Sequence, residues 1–165
     1  MKAAVTSPAV SVSDLRLVVN GSGMFNFVNE FSAYKLNADV NGSGQIKSEN
    51  VLKLGGLDVE IAGSGSVTFA QVSADETEVS ISGSGSATIE GSCVEADLKL
   101  MGSGYITMIG DVLSAKAKIA GSGDINLGNV SRLIRYDIAG SGNIYYSGDA
   151  EIRGLVAGSG IIQKR

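Results

Sequence analysis

The chain has 165 residues, of which 44% are apolar and 18% charged, with a net charge of −4. That balance fits one folded domain with a sizeable core, and excludes a disordered chain or a basic nucleic-acid-binding face. Histidine and tryptophan are absent, so a Ser-His-Asp triad is impossible and most zinc and copper sites are excluded.

In chain order, residues 1–14 come first. They begin Met-Lys-Ala-Ala-Val-Thr-Ser-Pro, with a charge but no apolar run long enough for a signal peptide. They are expected to form an N-terminal lead-in and cap, with residues 15–165 as the repeat region of one overall domain. No apolar stretch approaches the roughly 18 residues that a membrane span needs, so none is predicted.

From residue 15 the sequence repeats, and repeats decide architecture before local propensity does. Gly-Ser-Gly occurs eight times, starting at Gly21, Gly42, Gly63, Gly83, Gly102, Gly121, Gly140 and Gly158. The intervals are 21, 21, 20, 19, 19, 19 and 18 residues, and the triplets hold 16 of the 23 glycines. The glycine excess is therefore organised, unlike that of a flexible linker.

Two residues before each triplet stand Val19, Val40, Ile61, Ile81, Leu100, Ile119, Ile138 and Val156. Four and six residues before it, most positions are again apolar. The residues between are mostly polar, as in Arg16, Asn37, Asp58, Glu78, Asp97, Lys116, Arg135 and Arg153. This period-2 alternation marks a half-buried strand. Past the corner the pattern resumes with Phe25, Ile46, Val67, Ala87, Ile106, Ile125, Ile144 and Ile162. A third apolar column in the connecting segment reads Phe31, Val51, Val72, Val94, Val112, Val130 and Ala150.

Each unit is thus a strand, a Gly-Ser-Gly corner, a strand and a short connection. A hairpin this short is unstable alone. Antiparallel stacking is disfavoured because tight hairpins want Asn-Gly or Asp-Gly turns. The predicted fold is all-β: a single-stranded parallel β-helix, or β-solenoid, of about eight coils of 18–21 residues with Gly-Ser-Gly corners. At ~4.8 Å per coil it makes a rod on the order of 38 Å long.

Chemistry-bearing motifs are few. The triplets lack the third glycine of a dinucleotide fingerprint, and no Walker-type lysine follows them. Cys93 is alone, so no intrachain disulfide forms, and it reads as a small buried hydrophobe. Asp58, Glu78 and Asp97 share an outward column, with Asp39 and Glu60 two residues along. Stacked like charges need solvent or a bridging cation such as calcium. A solvated stripe, charge-alternated by Lys99 and Lys118, is the simpler reading, so no metal site and no cofactor are assigned.

On the later coils the outward positions past the corner are Tyr105, Thr107, Asp124, Asn126, Asn143 and Tyr145. Rings beside short amide and carboxylate groups on a rigid sheet suit sugar hydroxyls. The competing reading is an ordinary sheet face rich in β-formers. At the two ends, outward Val18, Met24, Leu155 and Ile161 are apolar, which suggests contact with another subunit through the coil ends.

Val-Val-Asn-Gly-Ser-Gly, Glu-Ile-Ala-Gly-Ser-Gly-Ser-Val, Lys-Ile-Ala-Gly-Ser-Gly-Asp-Ile and Asp-Ile-Ala-Gly-Ser-Gly-Asn-Ile resemble the head GIN domain, the auto-transporter adhesin head of Bacteroides-type bacteria. The resemblance spans about residues 15–162. It implies a right-handed parallel β-helix related in shape to pectin lyases, with no catalytic residues. It also implies a role in cell-surface adhesion toward a host or bacterial glycan or protein, and an extracellular or periplasmic location. The missing export signal and the short stretch before the first triplet depart from that family's habit. A polysaccharide-active β-helix enzyme and a polymerising scaffold are the alternatives.

Overall fold

The computed structural model describes residues 2–5 and 10–165, with side chains from residue 11 onward. Of the expected 1–14 lead-in, Met1 and residues 6–9 lie outside the described residues. No helix occurs among those described.

The strands follow in chain order: β1 (Lys2–Val5), β2 (Val10–Gly21), β3 (Met24–Phe27), β4 (Phe31–Gly42), β5 (Gln45–Gly63), β6 (Ser66–Gly83), β7 (Ser86–Gly102), β8 (Tyr105–Gly121), β9 (Asp124–Gly140), β10 (Ile144–Ser147), β11 (Glu151–Gly158) and β12 (Ile162–Lys164). All pairings among the described residues are parallel, each strand lying against its equivalent one repeat away. The column Val19, Val40, Ile61, Ile81, Leu100, Ile119, Ile138 and Val156 stacks in unbroken register. The repeat is therefore a parallel β-solenoid, and the antiparallel hairpin stack is excluded.

In the middle coils the strand runs almost without break from one corner to the next, leaving only Ser and the second Gly of each triplet outside the ladder. Burial shows three short faces per coil. In β6 the inward residues are Val67 and Phe69, then Val72 and Ala74, then Thr77, Val79 and Ile81. Each spacing of three between faces marks a turn in the wall. The segment expected to be a plain connection is a third strand face with its own corner.

This corrects two members of the connecting column. Leu52, not Val51, pairs with Phe31 and Val72 and is fully buried. Cys93, not Val94, pairs with Ala74 and Val112 and faces inward, leaving Val94 exposed. The cause is local. The ladder shifts register between Ser48 and Val51, and again between Phe69 and Val72. Such a bulge reverses which side chains point inward.

The Gly-Ser-Gly corner has a physical necessity at both glycines. Gly121 sits at φ +138°, where L side chains are strained. A Cβ there would run into the carbonyl oxygen of Gly102 in the preceding coil. A Cβ on Gly142 would strike the Gly123 carbonyl and lie 2.8 Å from Ile119 Cγ2. Between the glycines, each serine from Ser43 to Ser159 donates its backbone N–H to the first glycine of the preceding triplet, at 2.9–3.0 Å. The corner is thus a close-approach joint that ties coil to coil.

Near the N-terminal end one small residue arranges several large ones. Phe27, Ser48 and Phe69 form one column. Ser48 leaves room for the two rings to meet over it, edge to face at 6.3 Å between centroids. Its buried hydroxyl donates to Asn50 O at 3.1 Å and accepts from Asn50 N at 3.3 Å. A phenylalanine pair and a polar group share the core without an unpaired donor.

Candidate functional site

The six residues singled out past the corner lie on one strand face. Tyr105 pairs with Asp124, Thr107 with Asn126, and Asn126 with Tyr145, so three successive coils bring them side by side. Tyr105 is 55% exposed, while Thr107, Asp124, Asn126, Asn143 and Tyr145 are half-buried. Asp124 Oδ1 accepts from the Asn143 backbone N–H at 2.8 Å and from Asn143 Nδ2 at 3.0 Å. Asn143 Oδ1 in turn accepts from Ile161 N at 3.2 Å. The guanidinium of Arg165 stands 4.0 Å from the centre of the Tyr145 ring, a cation–π contact that covers one face of it. The patch is therefore preorganised, and Tyr105 offers the freer ring.

The carboxylate column is tied up by neighbouring lysines. Lys99 Nζ donates to Glu78 Oε1 at 2.6 Å and stands 3.9 Å from Asp97 Oδ1. The Glu78 hydrogen bond is the main reason that the Lys99 ammonium is held above its ordinary pKa. Lys116 Nζ bonds Asp97 Oδ2 at 3.0 Å, and Lys35 Nζ lies 3.6 Å from Asp58. Charge alternation between coils occurs as expected for Lys99, but Lys116 rather than Lys118 supplies the second ion pair. Asp39 pairs with Arg16 at 2.8 Å. Among the described residues no three carboxylate or thiol groups converge on a point that could hold a metal ion.

These charges border a shallow groove of about 840 Å³ that runs along the wall beside the third corner, from Tyr34 and Lys35 to Arg132 and Arg135. Its recess comes from small residues at the turn, including Gly55, Gly56, Ala96 and Ala115. The sequence reading missed this groove and its lip residues Asp75 and Arg132. The signal lay in the constant 19-residue spacing of Asp75, Val94, Leu113 and Arg132, which is readable only once the third corner is known.

Cys93 is buried, and burial pushes its thiol above the ordinary value. The Thr77 hydroxyl beside it, as a hydrogen-bonding neighbour of the sulfur, only partly offsets that shift. A protonated, enclosed thiol is no nucleophile, so Cys93 is a core residue.

Comparison with known proteins adds one finding. No curated protein matches the chain. A family model described as "Putative auto-transporter adhesin, head GIN domain" matches residues 36–150, well over half of the chain. That span holds the six triplets from Gly42 to Gly140, where the aliphatic column before each corner stacks in register and the core is closed. With its stacked Gly-Ser-Gly coils inside the matched span, the chain belongs to the head GIN domain family of auto-transporter adhesins.

Proposed function

We propose that this domain is a non-enzymatic adhesin-like module, a rigid surface acting outside the cell that binds glycan through the Tyr105–Tyr145 strand face. The observation that carries the reading is the in-register stacking of Tyr105 on Asp124 and of Thr107, Asn126 and Tyr145 across three adjacent coils, with Asn143 held to Asp124 by two hydrogen bonds. A stacked parallel sheet holds such groups at fixed spacing, so little ordering entropy is lost on binding. An exposed tyrosine ring takes the apolar side of a sugar, while the Asp124–Asn143 pair meets its hydroxyls.

Glycan-array binding tests this directly. The wild type should bind a defined set of glycans, and Tyr105→Ala combined with Asp124→Ala should abolish that binding. A wild type that binds no glycan overturns it. Incubation with a panel of polysaccharides separates the module from a lyase or hydrolase: new reducing or unsaturated ends would establish an enzyme instead. Pairing of copies through the coil ends belongs to the same reading, supported by the exposure of Leu155, Val156 and Ile161 on the last coil. Sedimentation as a strict monomer at high concentration would remove it, whereas negative-stain images of long filaments would favour a polymerising scaffold instead.

A further inference from the structure

The groove beside the third corner carries an ordered pattern of charge. Glu78, Asp97, Lys116 and Arg135 lie in one register column, one on each of β6, β7, β8 and β9. Their signs run minus, minus, plus, plus. On the lip, the corner positions of the same four strands are Asp75, Val94, Leu113 and Arg132. There the order is minus, apolar, apolar, plus. Both columns are antisymmetric about the same point, between β7 and β8.

Part of this charge has no use within the chain. Among the described residues, the side chains of Asp75, Glu76, Glu95, Arg132 and Arg135 make no ion pair or hydrogen bond. All five are exposed. Asp75 and Arg132 stand three coils apart, about 14 Å at ~4.8 Å per coil, which is beyond reach of each other and beyond the screening length in physiological salt. Between them Val94 and Leu113 leave 45% and 41% of their surface in solvent.

We propose that this face is a docking surface for a second copy of the same chain, packed antiparallel about a two-fold axis that lies in the interface, perpendicular to the rod and level with the gap between β7 and β8. Such an axis reverses the order of coils and keeps each column opposite itself. Asp75 then meets Arg132 of the second copy, Glu78 meets its Arg135, Asp97 meets its Lys116, and Val94 meets its Leu113. Every contact occurs twice. A parallel copy in register sets acid on acid and base on base, which is repulsive. Charge thus selects both the partner and its direction. The face is only about 19 Å long at ~4.8 Å per coil, small for an interface, so the dimer is weak and salt-sensitive.

The test uses the full chain in sedimentation velocity from about 10 µM to 1 mM, a span that covers weak dimers. The wild type should show a concentration-dependent monomer–dimer equilibrium that weakens as salt is raised. D75R and R132D each place two like-charged contacts across the axis, and each should weaken dimerisation by about tenfold or more. An equimolar mixture of the two variants should recover wild-type affinity, because every contact in the mixed dimer is again opposite in charge. The recovery also shows that both variants fold. A wild type that stays monomeric throughout overturns the proposal. So do single variants that associate as the wild type does, as end-to-end assembly would give, or a mixture no stronger than either variant alone.

Discussion

Ile119 and Val156 occupy the same place in the repeat, two residues before a Gly-Ser-Gly, and belong to one register column. Their corners match as well: Gly121 and Gly158 sit at φ +138° and +140°, and Ser122 and Ser159 donate to the preceding coil at 2.9 and 3.0 Å. Yet Ile119 is 2% exposed and Val156 41%. β8 lies between two coils, whereas β11 pairs with β9 alone. The motif therefore sets the backbone path, and the neighbours set how much apolar surface leaves water. In a stack of nearly identical units, stability is an interface property.

Substitutions at equivalent places make that contrast measurable. The largest effect belongs to the corner. Gly121→Val combines a strained φ with a clash against the Gly102 carbonyl, and should cost about 4 kcal/mol or more. Gly21→Ala, at φ +82° with no atom within 4 Å of the added carbon, should cost only about 1 kcal/mol. Urea melts of both variants would blur the contrast if they gave equal losses.

Next comes the aliphatic column. Ile119→Ala should lose roughly 2–5 kcal/mol through transfer and cavity terms. The half-exposed Val156→Ala should lose under about 1 kcal/mol. Similar thermal shifts for the two would show that the last coil is as enclosed as the middle ones.

A smaller effect follows from Cys93. Its folded pKa is raised by burial, so its stabilising contribution is complete below the unfolded value of about 8.5 and falls as pH rises through the folded one. Melting temperature should decline above about pH 8.5, and Cys93→Ala should flatten that decline. A thiol reagent at neutral pH should label Cys93 only after denaturation. Rapid labelling of the folded protein would place the thiol outside the core.

The smallest effect is at the surface. Lys99→Ala removes the 2.6 Å contact to Glu78, but an exposed pair contributes at most about 1 kcal/mol. The difference from wild type should shrink in ~1 M salt. A loss that stayed the same in high salt would mean that packing of the lysine stem, not charge, is what the substitution removes.

The coil stack was legible in the sequence because three signals agreed: glycine at fixed spacing, strict inward parity on both sides of it, and length changes confined to one segment. Parity carries through Gly-Ser-Gly, so Val40 and Ile46 were placed on the correct side together. It fails in the segment between, where a bulge moves Leu52 and Cys93 inward and Val51 and Val94 out of the core. A one-residue slip there leaves no trace in hydrophobicity, since both members of each pair are apolar or nearly so. The strand-face patch was legible as a set of neighbours, because register alone fixes who sits beside whom. The Asn143 amide that fastens Asp124, and Arg165 over Tyr145, were not. They depend on rotamers and on chain beyond the repeat. The groove was hidden for the same reason as the third corner.

Residue-resolved amide hydrogen exchange on the native protein tests most directly whether neighbouring coils supply the stability. The stack predicts that amides in β6 through β9 exchange only with global unfolding. Those in β11 should exchange orders of magnitude faster, even where they bond to β9. Protection as high in β11 as in β8 would contradict it.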